Sequence, residues 1–357
     1  MLDQSKCLIP ERFKDHPLFN EIHCGMNLGF MARRGYYSRE DIQKQPAVMA
    51  ATGVNWTTLN LNICQEAYYS RKVFLDFEFS SGEEELKRMA DLIHEQSIRI
   101  LFKPCLTPLD SAWMGSVTFP EGRQIQEVEI HYWDEWFDSY TKAICFCADF
   151  AEKNKIEAMM IGAELYGTEG QSDRWRKLIQ RVRERFSGPI TYEFTPLSRK
   201  NRTLDWFSDI DFLSYSYYPP ATDLIDPASF PTAPKVTRDE MVAFLSDRKQ
   251  KIHEISQRFN NMPIAFTEAG VRSAHGCIGQ PYNYITNTPY DGEEQAAYMD
   301  ALFTTFSDLP EWLGLYWWKW DETQNRPHYH IDPNGDCGFT IQGKPAEAVL
   351  RKWYGKK

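Results

Sequence analysis

Two glutamates stand out by where they fall. Residues 158–170 read AMMIGAELYGTEG and residues 263–273 read PIAFTEAGVRS, so Glu164 and Glu268 each close a short apolar run of strand type. A carboxylate at the end of such a run is costly unless a partner or a reaction uses its charge. Strand alternation predicts Met160, Gly162 and Glu164 on one side, and likewise Ile264, Phe266 and Glu268. Two acids facing each other across a cleft can divide the cleavage of a glycosidic bond. One protonates the leaving oxygen, and the other attacks the anomeric carbon. That double displacement needs carboxyls about 5–5.5 Å apart, whereas inversion needs roughly 6.5–9.5 Å. Either glutamate alone fits a buried ion pair with Arg or Lys just as well. Their joint placement on two strands with aromatic ends favours catalysis.

The neighbouring residues suit a sugar cleft. The third strand-like run ends in Lys103, followed by Pro104 and then by Asp110 and Trp113. The sixth reads SYSYYPP and sets Tyr215 and Tyr217 on one side. A phenol there can hydrogen-bond the nucleophile and hold its charge and orientation. The eighth, within GLYWWKWD, predicts Trp318 and Trp320 on one face as a stacking floor, with Trp317 packed in the core. A metal-dependent hydrolase is the rival chemistry, and it commonly begins with HxH at the end of the first strand. That strand has only His23, at its beginning. His328, His330 and Asp332 alternate after the eighth strand and are the remaining metal candidates. Solvent-facing histidines in polar loops usually ligate nothing, so the expectation is no metal and no organic cofactor.

Eight strand-like runs position these residues: His23–Gly29, Asn55–Leu61, Ile98–Lys103, Ala158–Glu164, Ile190–Phe194, Phe212–Tyr217, Ile264–Glu268 and Gly314–Trp318. Between them helical periodicity predicts Ser38–Ala51, Gly82–Glu95, Trp133–Lys153, Asp173–Phe186, a short Arg202–Ser208, Arg238–Phe259, Glu293–Phe306 and Pro345–Trp353. Alternating strands and helices imply βαβ units and a parallel sheet. Eight units without an internal linker predict a single (β/α)8 barrel domain over residues 1–357, and no glycine-rich phosphate turn argues for an open sheet. The long connections follow strands three, six, seven and eight, on the side where barrel enzymes keep their chemistry.

Composition narrows the function classes. The net charge is −10, without a Lys/Arg stripe, which argues against nucleic acid. No apolar run approaches membrane-spanning length. The start of the chain shows no apolar leader segment, and the eight cysteines are scattered. Both read as a cytoplasmic protein with reduced thiols. The close pair Cys145 and Cys147 reads as buried small apolar residues of a helix. The expected partner is an oligosaccharide. Aromatic residues make up 14% of the chain, most of them core filling, with some left for stacking on sugar rings.

These segments resemble glycoside hydrolase family 113, a (β/α)8 family of clan A best known for β-mannanases. The resemblance runs through Arg34-Gly35-Tyr36, Thr52–Trp56, Lys103-Pro104, Pro108-Leu109-Asp110 with Trp113, and Ile161–Glu164. It continues through Gly167-Thr168-Glu169, Trp175, Gly188, Thr191-Tyr192, Tyr217 with Pro219, Phe266–Gly270 and Arg272-Ser273. Gln295-Ala296, Trp318–Trp320 and Gly343–Pro345 complete it. It implies Glu164 as acid/base, Glu268 as nucleophile, retention of configuration and a β-mannosidic substrate. With it, Lys103, Asp110, Trp113, Tyr192, Tyr217, Trp318 and Trp320 form the expected substrate-binding set. Four positions depart from the clan or family pattern: Ala163 where clan A often has Asn, and Cys105, Thr107 and Met114 after the third strand. They bear on the sugar and linkage more than on the reaction. A barrel that binds carbohydrate without cleaving it is the other alternative, and the retention of both glutamates argues against it.

Overall fold

The computed structural model describes residues 2–125, 127–195, 204–224, 232–285, 288–320 and 336–355. Eight parallel strands form the barrel: β1 His23–Leu28, β2 Trp56–Gln65, β3 Arg99–Pro108, β4 Ala158–Ala163, β5 Ile190–Phe194, β6 Leu213–Ser216, β7 Ile264–Ala269 and β8 Trp312–Trp317. Each pairs with the next in chain order, and β1 pairs with both β2 and β8, which closes the ring. This is the expected (β/α)8 barrel. β2 and β3 run longer than sequence periodicity suggests and pair over ten positions, from Trp56 with Arg99 to Gln65 with Pro108.

The barrel interior is graded from apolar to polar. At the N-terminal end Trp56, Leu101, Ala158, Met160, Phe212, Ala265 and Leu313 pack together, and Phe13, Leu18 and Phe19 plug that end. One layer higher, Asn27, Thr58, Asn60, Lys103, Thr191, Glu193, Ser214 and Thr267 are all buried. Burial of so many polar groups is tolerable only with partners, and they supply one another. Thr58 donates to Asn27 at 3.0 Å, Asn60 to Thr58 at 3.0 Å, and Thr267 to Glu193 at 2.6 Å. The site sits on this polar layer.

Strict alternation fails in two strands, and the reason is the same in each. The β4–β5 register shifts between Met160 and Ala163, and the β6–β7 register shifts between Phe266 and Glu268. A bulge puts two residues opposite one and resets which side the next residue faces. Ile264 and Phe266 therefore belong to the outer layer, not the interior, and Phe266 meets Phe306 and Trp312 edge-on at 5.1 and 4.8 Å. Ala265 and Thr267 point inward, and the bulge lets Glu268 follow them. Met160 faces inward as expected. Gly162 faces out: a Cβ there would lie 3.1 Å from the Trp175 and Tyr192 rings.

The outer helices match their predicted spans within a few residues: Glu83–Glu95, Tyr132–Lys153, Ser172–Arg183, Arg238–Arg258, Gly292–Phe306 and Pro345–Tyr354. Thr237 and Glu240 form a capping box at the start of Arg238–Arg258. The predicted Ser38–Ala51 helix divides into Glu40–Gln43 and Gln45–Ala51, with Arg39 rather than Ser38 at the N-cap. Pro46 explains the break, because it has no N–H to bond the carbonyl four residues back. After β5 the described part of the predicted short helix is a 3₁₀ turn, Asp205–Asp209. Cys145 and Cys147 are buried in their helix, as expected. Among the described residues no helix is long and apolar enough to cross a membrane.

An aromatic wall fastens helices to strands on the β4–β5 side. Trp175 and Trp206 stack at 4.7 Å and 7°, and the Trp206 indole donates to the Glu169 carbonyl at 2.9 Å. Trp206→Ala is expected to destabilise the fold by about 3–5 kcal/mol, measured as a lower midpoint in denaturant unfolding at unchanged slope.

Candidate active site

Glu268 leaves the β7 bulge into the barrel mouth, where it is 8% exposed. Lys103, rising inward from β3, pairs with its Oε1. The Tyr218 hydroxyl donates to Oε2 at 3.0 Å. Both carboxylate oxygens are thus held, which fixes the rotamer and offsets the charge. Lys103 is itself wholly buried and also pairs with Glu193 Oε2 at 2.7 Å. Burial opposes its charge, but Glu193 and Glu268 outweigh that and hold the ammonium above its ordinary pKa.

Glu193 stands inward on β5, with Thr267 donating to its other oxygen. Burial pushes its carboxyl up, to about 8, against the pull of Lys103; the charges of Glu268 and Glu164 push the same way as burial. One ammonium faces three carboxyl groups, so the site carries more acid than it can ionise cheaply.

Glu164 lies just past the end of β4, not within it, with φ at +53°. A left-handed backbone costs a non-glycine residue roughly 1–2 kcal/mol. Here it turns the side chain out of the strand and into the mouth. The Trp113 indole donates to Glu164 Oε2 at 3.1 Å, and Ser216 is a second hydrogen-bond partner. Burial raises the Glu164 pKa, the charge of Glu268 adds to it, and the bonds from Ser216 and Trp113 oppose it. One carboxylate is braced by a cation and a phenol; its neighbour is biased toward holding a proton.

The structure brings Lys103, Trp113, Trp318, Glu164 and Glu268 together and places four expected residues elsewhere. Trp113, at 42% exposure, stacks on Tyr166 beside Glu164. Trp318 meets Phe30 edge-on at 4.5 Å, with the Lys103 ammonium 5.7 Å from its ring. Asp110 lies in the rim, where it accepts the N–H of Tyr68 at 3.2 Å and of Ala112 at 3.0 Å and ties two loops together. Tyr192 is fully buried on the outer face, between the inward Thr191 and Glu193, and donates to Glu169 at 2.8 Å. Tyr217 also faces outward, packed on Tyr215 and Phe266, because Ser214 and Ser216 hold the inward positions of β6. The phenol that reaches Glu268 belongs to Tyr218, one residue on. Trp320 is fully buried, with its indole on Gln45 Oε1 at 2.7 Å, and forms no stacking floor. Trp317 is in the core as expected.

Sequence reasoning missed Glu193, Ser216 and Tyr218. An acid inside the strand run ITYEF, in phase with Thr191, was a readable sign of Glu193. Tyr218 had none, since the SYSYYPP run contains three tyrosines. Cys105 and Thr107, two departures from the family pattern, face their β2 neighbours Asn60 and Asn62 at 3.6 and 3.4 Å. Burial pushes the Cys105 thiol up to about 12, so it remains neutral. His328, His330 and Asp332 lie outside the described residues.

A closed (β/α)8 barrel with two glutamates in contrasting environments at its C-terminal mouth is the arrangement of a glycoside hydrolase. The family model "Glycoside Hydrolase Family 113" matches residues 26–344, and the chain belongs to that family. The fold is shared with solved structures. One, described as a GH113 β-1,4-mannanase in complex, is 22% identical, with a TM-score of 0.77 over 94% of this chain and all of the other. A GH113 β-mannanase from Alicyclobacillus acidocaldarius is 23% identical, with a TM-score of 0.78 over 94% of this chain and 97% of the other. A family 5 mannosidase from Rhizomucor miehei is 12% identical, with a TM-score of 0.61 over 94% and 93%. No curated protein sequence matches the chain.

The two tyrosines separate site from scaffold. Tyr218→Phe removes a hydrogen bond to a charged group, worth about 1.5–3 kcal/mol, and should lower kcat/KM about 10- to 100-fold. Tyr217→Phe should leave kcat/KM unchanged. Equal losses in steady-state assays of the two variants would reassign the phenol.

Proposed function

We propose that this enzyme is a retaining β-mannanase or manno-oligosaccharide hydrolase that works by double displacement. The carrying observation is the contrast within the glutamate pair: Glu268 held between Lys103 and Tyr218, Glu164 raised in pKa by burial. Family membership and the β-mannanases among the structures that share the fold support the sugar.

In the first step Glu268 attacks the anomeric carbon while Glu164 gives its proton to the departing oxygen. The C–O bond to the leaving group breaks and a glycosyl ester forms on Glu268. Esterification removes the charge of Glu268, one of the two effects that raise the Glu164 pKa. Glu164, which has given up its proton, then stays ionised and takes a proton from the water that hydrolyses the ester. Lys103 stabilises the carboxylate at the start and its return at the end. Trp113 and Trp318 offer flat faces to the sugar rings. Asp110 shapes the rim loops around them.

None of the eight cysteines is in a disulfide, which supports a reducing, cytoplasmic setting and a diet of short oligosaccharides. The whole chain, 1–357, then serves as one catalytic domain. Release of manno-oligosaccharides of defined length from a mixed panel of β-linked oligosaccharides checks sugar, linkage and mode together. Rapid cleavage within long soluble mannan would rule out the short-chain preference, and a product of inverted configuration by NMR would rule out double displacement.

Glu268→Ala should abolish turnover. Glu164→Ala should slow substrates with poor leaving groups far more than activated aryl glycosides; equal loss at the glycosylation step would show that Glu164 is not the acid. The pH dependence has a definite sign. Raising the Glu164 pKa moves the alkaline limb of kcat/KM upward, because activity falls where the proton is lost. Trp113→Phe deletes a bond that favours ionised Glu164, so that limb should move further toward high pH. A shift downward in the pH–rate profile would contradict the assignment.

A further inference from the structure

Away from the catalytic carboxyls, three ligand-type side chains converge where the loop after β7 returns to the helix Gly292–Phe306. His275 Nδ1 lies 3.3 Å from Asp291 Oδ2 and 3.4 Å from Glu294 Oε2. The other ring nitrogen, Nε2, lies 2.8 Å from the Ala233 carbonyl oxygen, which can only accept, so Nε2 carries a proton. Asp291 is the N-cap of the helix: its Oδ1 accepts the Glu294 N–H at 3.0 Å. Glu294 is 8% exposed. The Gly276 and Ile278 amides lie near its carboxylate, but Oε1 makes no hydrogen bond of acceptable geometry with a described residue.

Two arrangements could satisfy these groups, and the distances separate them. An imidazolium clamped by two carboxylates would make N–H···O bonds of about 2.7–2.9 Å. The Asp291 contact is a hydrogen bond, but at 3.3 Å a long one for a charged pair; the Glu294 contact is longer still, and a single N–H cannot aim at two oxygens. A divalent ion bound at about 2.0–2.2 Å to each ligand, at tetrahedral angles, sets ligand atoms roughly 3.3–3.5 Å apart. The two distances from His275 Nδ1 fall in that range, and the three ligand atoms all lie within 4.8 Å of one another. The Nε2–H on a backbone carbonyl also fixes the tautomer that leaves a lone pair on Nδ1, as metal-binding histidines require. Two carboxylates balance the charge of a divalent ion.

We propose that His275, Asp291 and Glu294 bind one divalent transition-metal ion of the zinc or manganese type. The ion would pin together the two ends of the loop that leaves β7 just after Glu268, already bridged between Ala274 and Tyr290. Through Ala233 it would also reach the connection after β6. The ion is structural and takes no part in sugar chemistry.

The test is calorimetric titration of chelator-treated, full-length protein with Zn²⁺, Mn²⁺ and Ca²⁺, alongside thermal unfolding. One Zn²⁺ or Mn²⁺ should bind per chain, raise Tm and outcompete Ca²⁺. His275→Ala should weaken that binding on the order of 100-fold. Asp291→Asn keeps the helix cap but removes a ligand charge, so it should fold as the parent does and still lose affinity. No binding at millimolar metal, or binding unchanged in both variants, overturns the proposal. Because metal binding is read directly, failure here leaves the glycosidase reading untouched, and loss of glycosidase activity would not decide the metal site.

Discussion

An ammonium group withdrawn from water is tolerable only among carboxylates, and Lys103 meets that condition twice. Its ties to Glu193 and Glu268 join β3, β5 and β7 across the barrel interior. Removing one partner of a buried pair costs about 3–5 kcal/mol, because the other charge is left uncompensated. The glutamate pair inherits its asymmetry from this arrangement. Glu268 stands against the cation, while Glu164, on the far side of the mouth, meets an indole and a serine and feels Glu268 as a like charge. Glu193 absorbs the excess acid by favouring its protonated form.

The polar layer works because the apolar floor beneath it is complete. Met160, Phe212, Leu313 and their neighbours, with Phe13, Leu18 and Phe19 below, exclude water from one end of the barrel. Lys103 therefore sits in a medium of low polarizability, where Coulomb attraction to two carboxylates is strong. The same medium is what raises Glu193 and Glu164.

Barrel order, helix spans and the placing of two glutamates at the barrel mouth were legible in the sequence because they rest on periodicity and on acids ending apolar runs. What was hidden follows from bulges. Alternation placed Phe266 inside and would have rotated Glu268 with it; the register shift separates the two. It also offered Tyr217 in place of Tyr218, and Trp320 as a platform when its indole is committed to Gln45. Tyr192 failed for a simpler reason, since its inward neighbours Thr191 and Glu193 already fix it outward. Pro46 divided a helix whose hydrophobic spacing ran straight through it.

The β7 bulge has a bearing on how such a barrel can change over time. Below it, Ile264 and Phe266 answer to the packing of the outer shell; above it, Glu268 answers to the chemistry. The extra residue decouples these two phases of one strand. Substitutions that repack Phe266 against Phe306 and Trp312 can accumulate as drift in stability without turning Glu268. A single deletion between Phe266 and Glu268 would instead draw the carboxylate one position down the strand, out of the mouth and into the place of Thr267. This strand should therefore tolerate changes of residue type far better than changes of length.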